Sequence, residues 1–216
     1  MDETVDVYHG RDPAGVKAWT DSRPGPRAGD GRMSKLHRVF VSYHHELDEK
    51  YKKRFVLRFG DAYGTIIPAG VDLGDIDPNL ATETIRKKVR DEYLRDASVT
   101  VVLVGTLTWQ RKHVDWEVSS TLHDSKLHSR GGLLGILLPA YRTAYLDDKH
   151  GKGDPRTIPP RLHDNVEAGY AKLYDWSEDC SDVQAWIHEA FLRRSRVEPD
   201  NRRDLFGKNR TGSGWS

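Results

Sequence analysis

The sequence predicts a doubly wound parallel α/β sheet, and three observations carry that prediction. Strand-like and helix-like segments alternate along the body of the chain as βαβαβαβ…βα, the order of right-handed crossover units. The run Ser98–Gly105 is β-branched at most positions rather than alternating, so it is a strand buried on both faces, as in a sheet covered by helices. The 216 residues are 37% hydrophobic and 31% charged, enough for one substantial core under a wet surface.

Residues 1–33 hold five glycines and three prolines, with no periodicity beyond a short Val5–Tyr8 patch. Such a stretch buries too little apolar area to offset ordering its backbone, and it is expected to be a disordered or mis-called extension preceding Met33. The folded body is expected over 34–195. Arg38–Tyr43 is its first strand. Glu46–Phe59 carries Leu47, Tyr51, Phe55 and Phe59 four apart, one face of a helix. Tyr63–Ile67 is a weak strand closed by Pro68 and Gly70. Asp77-Pro78 combines a capping carboxylate with a first-turn proline, and Leu80, Ile85, Val89 and Tyr93 form the stripe of the helix it starts. After Ser98–Gly105 comes a helix near His113–His123 with Val114, Val118 and Leu122 as its stripe. Leu133–Leu138 is a buried strand stopped by Pro139. A long polar connection containing Gly151, Gly153, Pro155, Pro159 and Pro160 leads to a last strand at Ala171–Tyr174. Asp182–Arg193 closes with Val183, Trp186, Ile187, Ala190 and Phe191 on one helical face. Arg193–Ser216 carries seven basic and three acidic residues with Gly-Ser punctuation, so 196–216 is expected to be a flexible, solvated tail.

Composition narrows the function. Lys plus Arg is 34 against 33 for Asp plus Glu, a formal net charge of +1, which removes the electrostatic argument for a dedicated nucleic-acid or membrane-surface binder. No apolar run is long enough to span a bilayer, and no charged-then-apolar leader opens the chain. One cysteine, Cys180, leaves no internal disulfide framework and no Cys-rich zinc module, and points to a reducing, cytoplasmic setting. Neither a Gly-x-Gly-x-x-Gly turn nor a Walker loop nor a Gly-x-Ser-x-Gly elbow is present. The ten histidines lack the spacing that aims two imidazoles from one helical face, so no metal site is assigned.

In a doubly wound sheet, ligands bind beyond the carboxyl ends of the strands. The stretches to inspect are therefore Ser42–His45, Pro68–Asp77, Gly105–Lys112 and Pro139–Arg142. Glu117 stands out as the carboxylate. On a helical wheel it lies about 100° from the centre of the Val114–Val118–Leu122 stripe, the border between core and solvent, where a side chain can line a cleft. Trp116 lies nearly opposite the stripe and is expected either exposed or lying over a neighbouring loop. Arg86, Lys87, Lys88 and Arg90 read as a solvated helix face with Glu83–Lys87 as an i,i+4 pair.

Several ordered blocks then match a known family. Val39-Phe40-Val41-Ser42-Tyr43-His44-His45, Ser98–Gly105 and Trp109-Gln110-Arg111-Lys112-His113-Val114-Asp115-Trp116-Glu117-Val118 closely resemble the TIR-like domains of the Thoeris anti-phage defence type. Leu133–Pro139, Pro159–Leu162 and Gly169–Trp176 extend the resemblance. It implies a flavodoxin-like three-layer sandwich on a mostly parallel five-stranded sheet. It also implies NAD⁺ as substrate rather than cofactor, nicotinamide–ribose cleavage, a cyclic ADP-ribose-type signal, TIR–TIR homo-oligomers and coupling to a separate NAD-consuming effector. By the same resemblance Glu117 is the catalytic carboxylate. Ser42, Tyr43, His44, Asp72, Trp109, His113 and Trp116 are the substrate-binding set, with Asp72 in a loop, Val71–Asp77, that makes protomer contacts. The match departs from many TIR NADases at His113, where they carry a tryptophan. The alternative is a non-catalytic TIR-like module that recognises a protein partner or a nucleotide.

Overall fold

The computed structural model describes residues 5–6, 37–63, 66–67, 80–92, 94–124, 129–145 and 152–215. A two-residue strand β1 (Val5–Asp6) pairs antiparallel with β6 (Lys152–Gly153). The main sheet contains β2 (Val39–Ser42), β3 (Ile66–Ile67), β4 (Val99–Val104), β5 (Gly132–Leu137) and β7 (Leu173–Asp175) in the order β3-β2-β4-β5-β7. Every described pairing in it is parallel, and β3 is only a two-residue edge. The chain leaves β2 for β3 on one side and returns to β4 on the other, so strand order reverses at the β2/β4 boundary.

The expectation of a strand buried on both faces is met in β4, all six of whose residues are buried. Val99, Val101 and Leu103 join Val39, Val41, Phe55, Phe59 and Ile187 in the core on one side. That side is covered by helices α1 (His45–Tyr63) and α6 (Cys180–Arg193). Val102 and Val104 enter the opposite core with Val114, Val118, Tyr141 and Leu162. These come from α3 (Lys112–Thr121), α4 (Pro139–Tyr145) and α5 (Pro160–Glu167). Helix α2 (Thr82–Glu92) contributes Ile85 and Val89 to a third cluster with Phe40, Leu94 and Trp116. Two layers of helix around one sheet give the three-layer α/β sandwich of the flavodoxin-like class. Helix α6 lies so close to β5 that a Cβ on Gly132 would sit 2.5 Å from the Ala190 carbonyl oxygen, which restricts that strand position to glycine.

Four local expectations change. Leu47 is 48% exposed, because α1 turns Asp48 inward in its place. Leu80 precedes α2 and is exposed, while the Asp77-Pro78 start lies outside the described residues. The connection before β7 contains α5 as well as a 3₁₀ turn, Pro155–Thr157. There Pro160 occupies the first helical turn, a position where a missing N–H costs nothing, so these prolines start a helix instead of breaking one. The basic face of α2 is not merely solvated. Arg86 donates to Ser119 Oγ at 2.7 Å and pairs with Glu83 at i,i+3, and Arg90 is buried with a bond to the Ser129 carbonyl.

The largest departure is the carboxyl-terminal segment. Residues 197–215 form a strap over α3, α5 and the turn before α3, not a flexible tail. Phe206 is buried; its N–H donates to Asp115 Oδ2 at 3.0 Å and its carbonyl accepts from Trp116 Nε1 at 2.8 Å. Asn201 bridges Ser119 and Arg161, and Trp215 Nε1 donates to the Ile158 carbonyl at 2.7 Å. Arg161 and Asp115 are both nearly inaccessible and form a 2.9 Å ion pair, with the guanidinium also bonded to Asn201 and the Asp204 carbonyl. Of the two placements expected for Trp116, the structure takes the one against a neighbouring segment: the strap covers it and leaves it only 1% exposed. A helical wheel assigns the side opposite the core to water, and here another part of the chain has taken that side.

Candidate functional site at the strand-order switch

The carboxyl ends of β2 and β4 converge where the strand order reverses, and the chemistry-bearing residues collect there. Ser42 ends β2, and its hydroxyl donates to Glu117 Oε2 of α3 at 2.5 Å. The two lie 75 positions apart in the chain and are brought together by the β2–β4 pairing, with α3 packed across it. Both are sealed: Glu117 is 0% exposed and Ser42 about as inaccessible. The expected proximity of Glu117 to the first strand's end therefore holds, and the expected position on a cleft border does not. The carboxylate lies beneath the rim instead of lining it, because α3 is covered on its outer side by α2 and the strap.

The rim is built by the turn after β2. His44 accepts from Arg111 Nε at 2.6 Å, and Arg111 in turn reaches Glu46 at 3.5 Å. Burial, reinforced by the Arg111 charge, pushes the His44 imidazole down to about 4, so it is neutral at pH 7. His113 bonds to the Tyr43 carbonyl at 3.0 Å and its ring sits 4.5 Å from that of His45. Burial likewise brings His113 down to about 4, opposed by that backbone bond. Where many TIR NADases present a tryptophan, this chain therefore places a neutral imidazole tied to the strand-end backbone. Tyr43 donates to Glu49 at 2.5 Å, and burial together with Glu49 raises its phenol.

Trp109 lies on a 3₁₀ turn, Thr108–Gln110, and is buried. Trp116 faces α2 and the strap, not the Ser42–Glu117 pair, so the structure does not bring it to the same place as the rest of the candidate set. Asp72 lies outside the described residues. Among the described residues no group of three or more His, Cys, Asp and Glu is disposed to hold a metal ion.

One residue escapes the sequence reading. Asp48, in the first turn of α1, is 4% exposed and lies directly under the end of β4. Its Oδ2 accepts from Thr108 Oγ1 at 3.3 Å, and Thr108 Oγ1 accepts from the Gly105 N–H at 2.8 Å. A Cβ on Gly105 would collide with the Asp48 carboxylate oxygens, so the glycine that ends β4 makes room for this group. Burial raises Asp48 to about 6, partly offset by the Thr108 bond and by Lys50. The signal available in sequence is an aspartate four residues beyond His44, which ordinary helix patterning assigns to a solvated first turn.

The fold and this site together define the class: a flavodoxin-like α/β domain with a buried Ser–Glu pair at its switch point. Residues 40–143, just under half of the chain, match the family described as Thoeris protein ThsB, TIR-like domain, and over that stretch the chain is similar to this family. No curated protein matches the chain. No helix among the described residues is long and apolar enough to cross a membrane.

Proposed function

We propose that this TIR-like domain cleaves NAD⁺ between nicotinamide and ribose in anti-phage defence, releasing a cyclic ADP-ribose-type signal, with Glu117 as its catalytic carboxylate. One observation carries the reading: a serine hydroxyl and a glutamate from distant parts of the chain share a 2.5 Å hydrogen bond at the switch point where such sheets bind ligands. A carboxylate there orients the ribose hydroxyls and stabilises oxocarbenium charge as neutral nicotinamide departs, with Ser42 replaced by a ribose hydroxyl as hydrogen-bond donor. His44, His113 and Tyr43 form the rim that must move aside for the sugar to reach it. Trp109 and the loop carrying Asp72 complete the proposed substrate contacts, and like TIR domains form the proposed homo-oligomer upstream of a separate NAD-consuming effector.

A second reading, a TIR-like module that recognises a partner or nucleotide without turnover, is favoured by the complete burial of Glu117. Nicotinamide release from NAD⁺ by concentrated purified protein and by infected-cell lysates separates the two. Turnover abolished in Glu117→Gln, with folding intact, is the expected result. Turnover equal in Glu117→Gln and wild type removes the site assignment, and no release under any of these conditions establishes the non-catalytic reading.

A further inference from the structure

Beyond the sealed Ser42–Glu117 pair, the carboxyl-terminal strap forms one side of an open concavity. It has a volume of about 800 Å³ and is lined by Trp109, Phe206 and Trp215 together with Arg203, Lys208 and Arg210. Its walls are fixed by backbone bonds. Arg210 N donates to the Gln110 carbonyl at 2.7 Å, Gln110 Nε2 to the Gly212 carbonyl at 3.2 Å, and Lys112 N to Asn209 Oδ1 at 3.0 Å. The strap loop is thus anchored to the turn that leads into α3.

The charges around this hollow are not balanced. Arg203 is committed to Asp164 through two 2.8 Å bonds. Arg210 lies 4.3 Å from the Phe206 ring, and neither it nor Lys208 has a carboxylate within ion-pair distance among the described residues. The lining contains one acidic residue, the exposed Asp204, against three cations. Partial burial and the neighbouring Arg203 charge hold the Arg210 guanidinium below its ordinary range, so a nearby anion would relieve an existing repulsion. Guanidinium and ammonium groups beside aromatic faces match phosphate joined to a planar base.

We infer that the concavity between the strap and the Trp109 turn is a binding site for a phosphorylated nucleotide, with Lys208 and Arg210 holding phosphate and Trp215, the partly exposed ring of the lining, accepting the base. The site shares Trp109 with the proposed substrate contacts, otherwise lies outside the family-matched stretch, and does not include Glu117. The test is calorimetric titration of the full chain with ADP and with inorganic pyrophosphate. Both are expected to bind, ADP more tightly because its base stacks. In Lys208→Gln/Arg210→Gln, with its unfolding transition checked against wild type, affinity for both is expected to fall about tenfold or more, ~1.4 kcal/mol. Glu117→Gln is expected to bind them as wild type does. Absence of binding to wild type, or undiminished binding by a folded double variant, overturns the inference. Titration of ADP in the presence of NAD⁺ identifies the source of the phosphate. Mutual displacement assigns it to the dinucleotide's own distal half, and simultaneous binding assigns it to a separate nucleotide.

Discussion

Asp48→Asn isolates one buried carboxylate and reads its electrostatics as stability. Asparagine has the same shape, and its amide oxygen can still accept from Thr108, so packing against Gly105 is retained. In the folded protein Asp48 titrates at about 6, against an ordinary 3.8. Between those values the native chain keeps a proton that the unfolded chain has released, so wild type loses stability as pH rises through this window. A gap of this size corresponds to ~3 kcal/mol, at about 1.4 kcal/mol for each tenfold in proton affinity. Asparagine cannot ionise and escapes the loss. The stability of Asp48→Asn minus that of wild type should therefore increase by up to ~3 kcal/mol from about pH 4 to about pH 7.5, levelling above pH 6. His37, His44 and His113 act in an overlapping window with the opposite sign. Each is held down to about 4 from 6.5, so protonation of the unfolded chain destabilises the fold as pH falls from 6.5 to 4. They are common to both proteins and cancel in the difference. Urea unfolding followed by tryptophan fluorescence at matched pH values measures it. A difference independent of pH, or one that shrinks as pH rises, refutes the assignment of an uncompensated buried charge to Asp48.

Three further outcomes follow from the packing. Gly105→Ala is expected to destabilise by ~1–3 kcal/mol, because its methyl collides with the Asp48 carboxylate, and Asp48→Ala in the same chain should recover part of that loss; additive costs in a double-mutant cycle would show the two do not touch. Arg161→Ala leaves Asp115 buried without its cation and should cost ~3–5 kcal/mol by denaturant unfolding, whereas a loss under ~1 kcal/mol would mean the pair is not sealed. Phe206→Ala should cost ~3 kcal/mol and increase the solvent exposure of Trp116, seen as a red-shifted emission relative to wild type; unchanged stability would show that the strap does not cover α3.

Much of the architecture is readable from local pattern. The β-branched run at Val99–Val104 announces a strand covered on both sides, and the Val183–Ile187–Ala190 spacing announces the closing helix, because both signals depend on neighbours a few residues apart. The meeting of Ser42 and Glu117 is implied by the resemblance, which puts both in one site; the element order names the strand ends but not the helix residue that reaches them. Burial is harder to read. A helical wheel puts Trp116 away from the core and Glu117 at its border but cannot say what covers that side, and α3 has a second covering formed by residues more than 80 positions later.

The sequence by itself determined the elements, their parallel order and the likeness to a known family, since these reside in short-range periodicity and in ordered blocks. Only the tertiary structure decided that the glycine- and arginine-rich end is a strap. It also decided that Asp48 lies under β4 and that Asp115 and Arg161 neutralise each other out of water. Each of these depends on which charged group finds a partner across long sequence separation. Desolvation penalises every wrong pairing, but composition alone does not specify the right one.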